Sequence, residues 1–155
     1  MKEYTTAHLR NVAVLGHGNS GKTSLLDACL YHTGTAKRCG SVDEGTSLLD
    51  VLPEEKARHL TIEMKLAACE WGEEKLNLLD TPGYPDFFGE AVSAVAAADA
   101  ALLVLSAPAG IEVETEKLWQ LARGEDLPCA FFLNKMDREH ADFAAVVDEL
   151  RVRFG

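Results

Sequence analysis

The 155-residue sequence predicts an α/β fold: a mostly parallel sheet with one antiparallel strand, covered by helices on both faces. Three observations carry this. Short continuous apolar runs alternate with helix-length amphipathic segments. The runs "NVAVLG", "AALLVLSA" and "CAFFLN" leave no room for a wet face. The strand-like runs "TIEMKLAACEW" and "KLNLLD" are separated only by "GEE", which suits a hairpin.

In chain order, residues 11–16 read as a buried strand ending in glycine. Residues 21–34 read as a helix with Leu25, Leu26, Cys29 and Leu30 inward and Gly34 near its stop. Residues 36–58 are polar and aperiodic, and predict a long mobile loop, usually a functional feature in a compact domain. The hairpin spans 61–80. An Ala-rich helix (89–99), a buried strand (100–107), an amphipathic helix (112–128), another buried strand (129–134) and a last helix (142–155) follow. Trp71 and Trp119 read as packing residues. Asp43, Glu44, Glu54 and Glu55 read as a solvated loop face.

Apolar residues make up 47% of the chain, which excludes disorder and suffices for one core, so residues 1–155 are read as one domain. The net charge of −10 argues against gripping nucleic acid, and no direct sequence-specific nucleic-acid binding is expected. Cys29, Cys39, Cys69 and Cys129 lack metal or redox spacing and read as reduced thiols. Ser93, Asp99 and Ser106 interrupt the best membrane candidate, and "MKEYTTAHLR" has no apolar signal core. A cytoplasmic monomer without membrane contact is the expectation.

The polar signals fall where strands end, which is where ligands bind such sheets. "GHGNSGKT" comprises Gly16, His17, Gly18, Asn19, Ser20, Gly21, Lys22 and Thr23, with Ser24 next. It matches the phosphate loop, placed between strand and helix as that motif requires. Its N–H groups and the helix dipole would wrap phosphate oxygens. Lys22 would reach the β and γ phosphates, and the Thr23 hydroxyl would ligate Mg²⁺. "DTPG" supplies Asp80 for Mg²⁺ and the Gly83 N–H for a γ-phosphate oxygen. "NKMD" supplies Asp137, whose carboxylate accepts two hydrogen bonds from guanine and none from adenine. Asn134 would bridge base site and phosphate loop, and the Lys135 stem would lie along the base. Thr61 either swings onto Mg²⁺ as a switch or merely opens a strand.

These segments, with "VDEGTSLLD" and "EEKARHLTIE", resemble the GTP-binding domain of translational GTPases, most closely elongation factor G, over nearly the whole chain. The resemblance implies a three-layer phosphate-loop NTPase fold, GTP/GDP and Mg²⁺ as ligands, hydrolysis of GTP, and the ribosome as partner of the full-length protein. Three positions depart from the family's pattern. Asn19 stands for Asp, "RHLTI" for Arg-Gly-Ile-Thr-Ile, and Tyr84 for the histidine that positions the attacking water. That combination is similar to the elongation factor G-like, or second elongation factor G, branch. A phenol can hydrogen-bond to water but lacks the imidazole's second nitrogen and its charge near neutral pH. Slow hydrolysis with Tyr84, Lys22 and Thr61 as the catalytic set is therefore expected; a GTP-binding switch with little hydrolysis is the alternative. An ATP-using kinase is a third reading, opposed by "NKMD". The resemblance also implies a fold truncated before its last strand, with Phe131 and Phe132 on an open edge, weakened nucleotide affinity and no translocation by this chain alone.

Overall fold

The central strands are apolar because both their faces are covered. In β1 (Leu9–Leu15) Ala13, Val14 and Leu15 are inaccessible to solvent. Leu103, Val104 and Leu105 in β4 (Ala100–Ser106) are equally sealed. The computed structural model describes residues 2–155. The remaining elements are α1 (Lys22–His32), α2 (Pro53–Arg58), β2 (Lys65–Trp71), β3 (Glu74–Asp80), α3 (Phe88–Ala97), α4 (Val113–Gly124), β5 (Cys129–Asn134) and α5 (Phe143–Phe154).

The five strands run in the order β2-β3-β1-β4-β5. All pairs are parallel except β2 with β3. Register brings the chemistry to one rim: Val14 stands opposite Asp80, and Ser106 opposite Asn134. Alternation along each strand then sorts the core. Ala13, Leu15, Leu79, Leu103 and Leu105 meet residues of α3, α4 and α5. Val14, Leu78 and Val104 meet Leu26 and Leu30 of α1 on the other face. The predicted α/β class and three layers are what the chain forms.

The structure corrects five local readings. Residues 36–58 are not featureless, because they contain α2 and the buried side chains of Ala36, Leu49, Asp50 and Glu55. Glu55 is wholly buried, whereas Asp43, Glu44 and Glu54 are exposed as expected. β2 begins at Lys65, so Thr61 opens no strand. Trp71 is 65% exposed at the end of β2, while Trp119 stacks on Phe154 with ring centroids 4.7 Å apart. β5 is an edge strand as expected, but only Phe132 lies open; Phe131 stacks under Phe154.

Candidate functional site

The turn between β1 and α1 is shaped by close approach. A Cβ on Gly16 would lie 2.2 Å from the Val104 carbonyl oxygen. One on Gly21 would lie 2.2 Å from Asn134 Nδ2, and Gly21 also has φ +92, which favours glycine. Inside the turn the buried Lys22 ammonium donates to the carbonyls of Gly16 (2.8 Å) and His17 (2.9 Å). Burial pushes its pKa down to about 8, with the Asp80 carboxylate opposing the fall. A Cβ on Gly83 would meet that ammonium at 2.5 Å and the His17 backbone at 2.6 Å, so the "DTPG" turn rests directly on the phosphate loop.

His17 faces away from the cavity. Its Nε2 accepts from the Ser106 N–H at 3.3 Å, so Nδ1 carries the proton and meets the Gly18 carbonyl (2.8 Å) and Glu112 Oε1 (3.2 Å). Burial holds its pKa below the usual value, against the pull of Glu112. His17 is thus a strut tying the loop to the end of β4 and the start of α4. Ser20 is likewise buried, and Gly16 sits behind the loop.

The oxygens expected at a metal do converge. Thr23 Oγ1 donates to Asp80 Oδ2 at 2.8 Å and lies 3.1 Å from Thr61 Oγ1. Asp80 is fully buried, and its Oδ1 has no partner. Burial raises its pKa to about 6 even though Thr23 and Lys22 pull it down. An unpartnered buried carboxylate oxygen beside two hydroxyls fits a hard divalent cation such as Mg²⁺. Among the described residues no group of three His, Cys, Asp or Glu could hold a metal. The remaining ligands of such an ion would therefore be phosphate oxygens and water.

Two carboxylates that pattern reasoning missed are buried in the closing segment, and one of them organises it. Glu55 accepts from the N–H groups of Val51, Leu52, Ile62 and Glu63 and from Lys65 Nζ, at 2.9–3.3 Å. Burial alone would raise its pKa, but these bonds outweigh it and hold the group below the usual carboxylate range. It pins the backbone next to Thr61. Asp50 is buried with Oδ2 unpartnered, and its pKa is raised by burial and then by Glu55 and Asp27. Pro53 followed by Glu55 at the third helical position was the available signal for α2.

At the far end Asn134 Nδ2 donates to the Ser20 carbonyl at 3.0 Å, and its Oδ1 accepts from the Lys135 N–H at 2.8 Å. The expected bridge between "NKMD" and the phosphate loop is present in the geometry. Asp137 is exposed, with only a 3.8 Å approach from Arg138. A cavity of about 550 Å³ joins Gly18, Asn19, Gly21, Lys22, Thr23, Ser24, Thr61, Gly83, Tyr84, Asn134, Lys135 and Asp137. Gly16, His17, Ser20 and Asp80 lie behind its wall.

The family model described as the elongation factor Tu GTP binding domain matches residues 7–154. The chain belongs to this family. It is 39% identical to the mitochondrial ribosome-releasing factor 2 of Candida albicans over 93% of this chain and 18% of that protein. Elongation factor G 2 of Borreliella afzelii is 34% identical over 94% of this chain and 22% of that protein. A solved protein from Thermus thermophilus superposes with a TM-score of 0.90 at 42% identity, covering 94% of this chain and 22% of that one. The chain therefore spans about a fifth of the length of these relatives. The elongation factor G-like resemblance and the phosphate-loop GTPase fold are both what the comparisons show.

Proposed function

We propose that the chain binds and hydrolyses GTP, with Mg²⁺, as the nucleotide domain of an elongation factor G-like protein that acts on the ribosome in translocation or disassembly. The observation that carries this is the cavity that brings Lys22, Thr23, Thr61 and Asp137 together, with Asp80 bonded to Thr23 just behind its wall. The ribosome-related names of the relatives support the partner.

Each residue has a role that its chemistry allows. The Lys22 ammonium, now held by two loop carbonyls, can turn to phosphate oxygens without being drawn from water. The Gly83 N–H and the start of α1 add donors to the same place. Thr23, Thr61 and Asp80 would hold Mg²⁺, which supplies charge stabilisation to phosphate oxygens when bound. Asp137 selects guanine by accepting from its N1–H and 2-amino groups. Asn134 keeps that selector in register with the phosphate loop. Tyr84 stands at the mouth of the pocket, where its hydroxyl can orient water. A lone hydroxyl supports slow, ribosome-dependent turnover, since phosphoryl transfer rests on positioning and electrostatics. The cytoplasm is the proposed location and a monomer the proposed state.

Calorimetry with GDP, GTP and ATP tests the reading. Guanine nucleotides should bind in Mg²⁺, ATP should not, and Lys22→Ala should lose binding; ATP competing with GTP would sink it. A second reading, a GTP-controlled switch with little hydrolysis, is favoured by Tyr84 itself. Phosphate release on ribosomes separates the two.

A further inference from the structure

Two of the positions that depart from the family's pattern, Asn19 and Tyr84, touch each other, and a third residue makes room for them. A Cβ on Gly18 would sit 3.0 Å from Tyr84 Cζ and 3.2 Å from both Cε atoms. Gly18 does not have a positive φ, unlike Gly16 and Gly21. Its backbone does not call for glycine; the tyrosine ring does. The neighbouring Asn19 Nδ2 donates a long hydrogen bond to the Tyr84 hydroxyl at 3.4 Å.

The flanks of Tyr84 leave its side chain as the free variable. Gly83 is pressed onto His17, and Pro85 keeps Tyr84 extended at φ −97, ψ 142. Tyr84 lines both the 550 Å³ pocket and a cavity of about 180 Å³ walled by Pro82, Pro85, Phe88 and Leu118. With a fixed backbone, side-chain torsion decides on which side the phenol rests. The atoms that hold it on the phosphate side belong to Gly18 and Asn19.

We propose that Gly18 and Asn19 are positioning residues for Tyr84: the bare backbone of Gly18 seats the ring, and the Asn19 amide holds the hydroxyl at the phosphate pocket. This rests on reading that pocket as a GTP site with Tyr84 orienting water. Gly18 then matters through what it lacks. A methyl group there requires the ring to give by a few tenths of an ångström, which shifts the hydroxyl from its place at the pocket.

The test is a double-mutant cycle of Gly18→Ala and Tyr84→Ala. Single-turnover GTP hydrolysis on ribosomes and GDP affinity are read for all four proteins. With Tyr84 present, Gly18→Ala should slow hydrolysis about tenfold or more. In the Tyr84→Ala background the further loss of rate should be clearly smaller. Whatever the methyl costs in GDP affinity should be the same in both backgrounds, so the coupling appears in the rate alone. Rate losses that simply multiply would overturn the proposal. Contact is read without activity, from nuclear Overhauser effects between Tyr84 ring protons and Gly18 Hα in the GDP-bound chain. They should be present, and weaker in Asn19→Ala; their absence also overturns the seat. A chain that shows the contact and hydrolyses nothing refutes the GTPase reading and leaves the seat standing. Should Gly18→Ala fail to fold, the wild-type and Asn19→Ala spectra decide.

Discussion

The phosphate loop and the segment that closes over it, residues 36–64, are held by opposite means. The loop is held by backbone: glycines pressed against Val104 and Asn134, with an ammonium inside satisfied by two carbonyls. The closing segment is held largely by side chains: Glu55 gathers four N–H groups and a lysine, while Asp27 accepts from the Leu48 N–H and Glu90 from the Met64 N–H. A shape written into backbone contacts is shared among many atoms. A shape hung on a few carboxylates is weakened by the loss of any one. The difference makes the loop the more rigid of the two and leaves the placement of Thr61 dependent on its neighbours' side chains.

Glu55→Gln should break the comparison most severely. An amide keeps one acceptor oxygen and turns an NH₂ group toward N–H donors, so the usual conservative exchange sets donor against donor. Unfolding free energy should fall by about 3 kcal/mol, because buried donors lose their partner. GDP binding, which depends on the phosphate loop, should survive at a temperature where the variant is folded. Thermal unfolding and GDP calorimetry on one preparation check both statements. Binding lost as completely as in Lys22→Ala would mean that the two regions are one unit.

Lys22 sharpens the comparison from the loop side. Its pKa in the free chain is lowered to about 8, and phosphate binds the ammonium form. GDP affinity should be level below pH 8 and fall above it by up to about tenfold per pH unit. Calorimetry at pH 8.5 in buffers of different ionisation enthalpy should show proton uptake on binding. For folding the sign is reversed. The unfolded chain holds this proton more tightly, so the lysine's contribution to stability rises as pH climbs from about 8 toward the ordinary lysine value.

Asn134→Ala is expected to do least. It removes the bridge to Ser20 and the bond to the Lys135 N–H, worth about 1 kcal/mol each at most. GDP affinity should drop by about tenfold or less. ATP should still be excluded, because the Asp137 carboxylate is untouched. Competition titrations with both nucleotides measure the two effects together.

The sheet and the glycine-rich turn between β1 and α1 were legible in the sequence because their signals are local. A strand buried on both faces has to be an apolar run. A turn that wraps phosphate has to be glycine-rich between strand and helix. Glu55 was misread for the converse reason: its neighbours Glu54 and Lys56 are exposed and charged, and nothing nearby in sequence marks the middle residue as buried. Its partners at Ile62, Glu63 and Lys65 come into range only when the chain turns back after α2. His17 shows the same limit. Its place in the motif is plain, but Ser106 and Glu112 lie about 90 residues away and make its side chain a strut.

The sequence by itself determined the α/β class, the carboxyl-end placement of the three motifs and the residue types able to meet phosphate, cation and guanine. These follow from periodicity and from the donor and acceptor count of each side chain. Tertiary structure alone decided that Glu55 is a buried hub, that Asp80 keeps an unpartnered oxygen, and that a Cβ on Gly18 would crowd the Tyr84 ring. Each is a statement about which atoms are left in contact once distant segments pack. Burial and close approach are properties of the packed chain, not of any stretch along it.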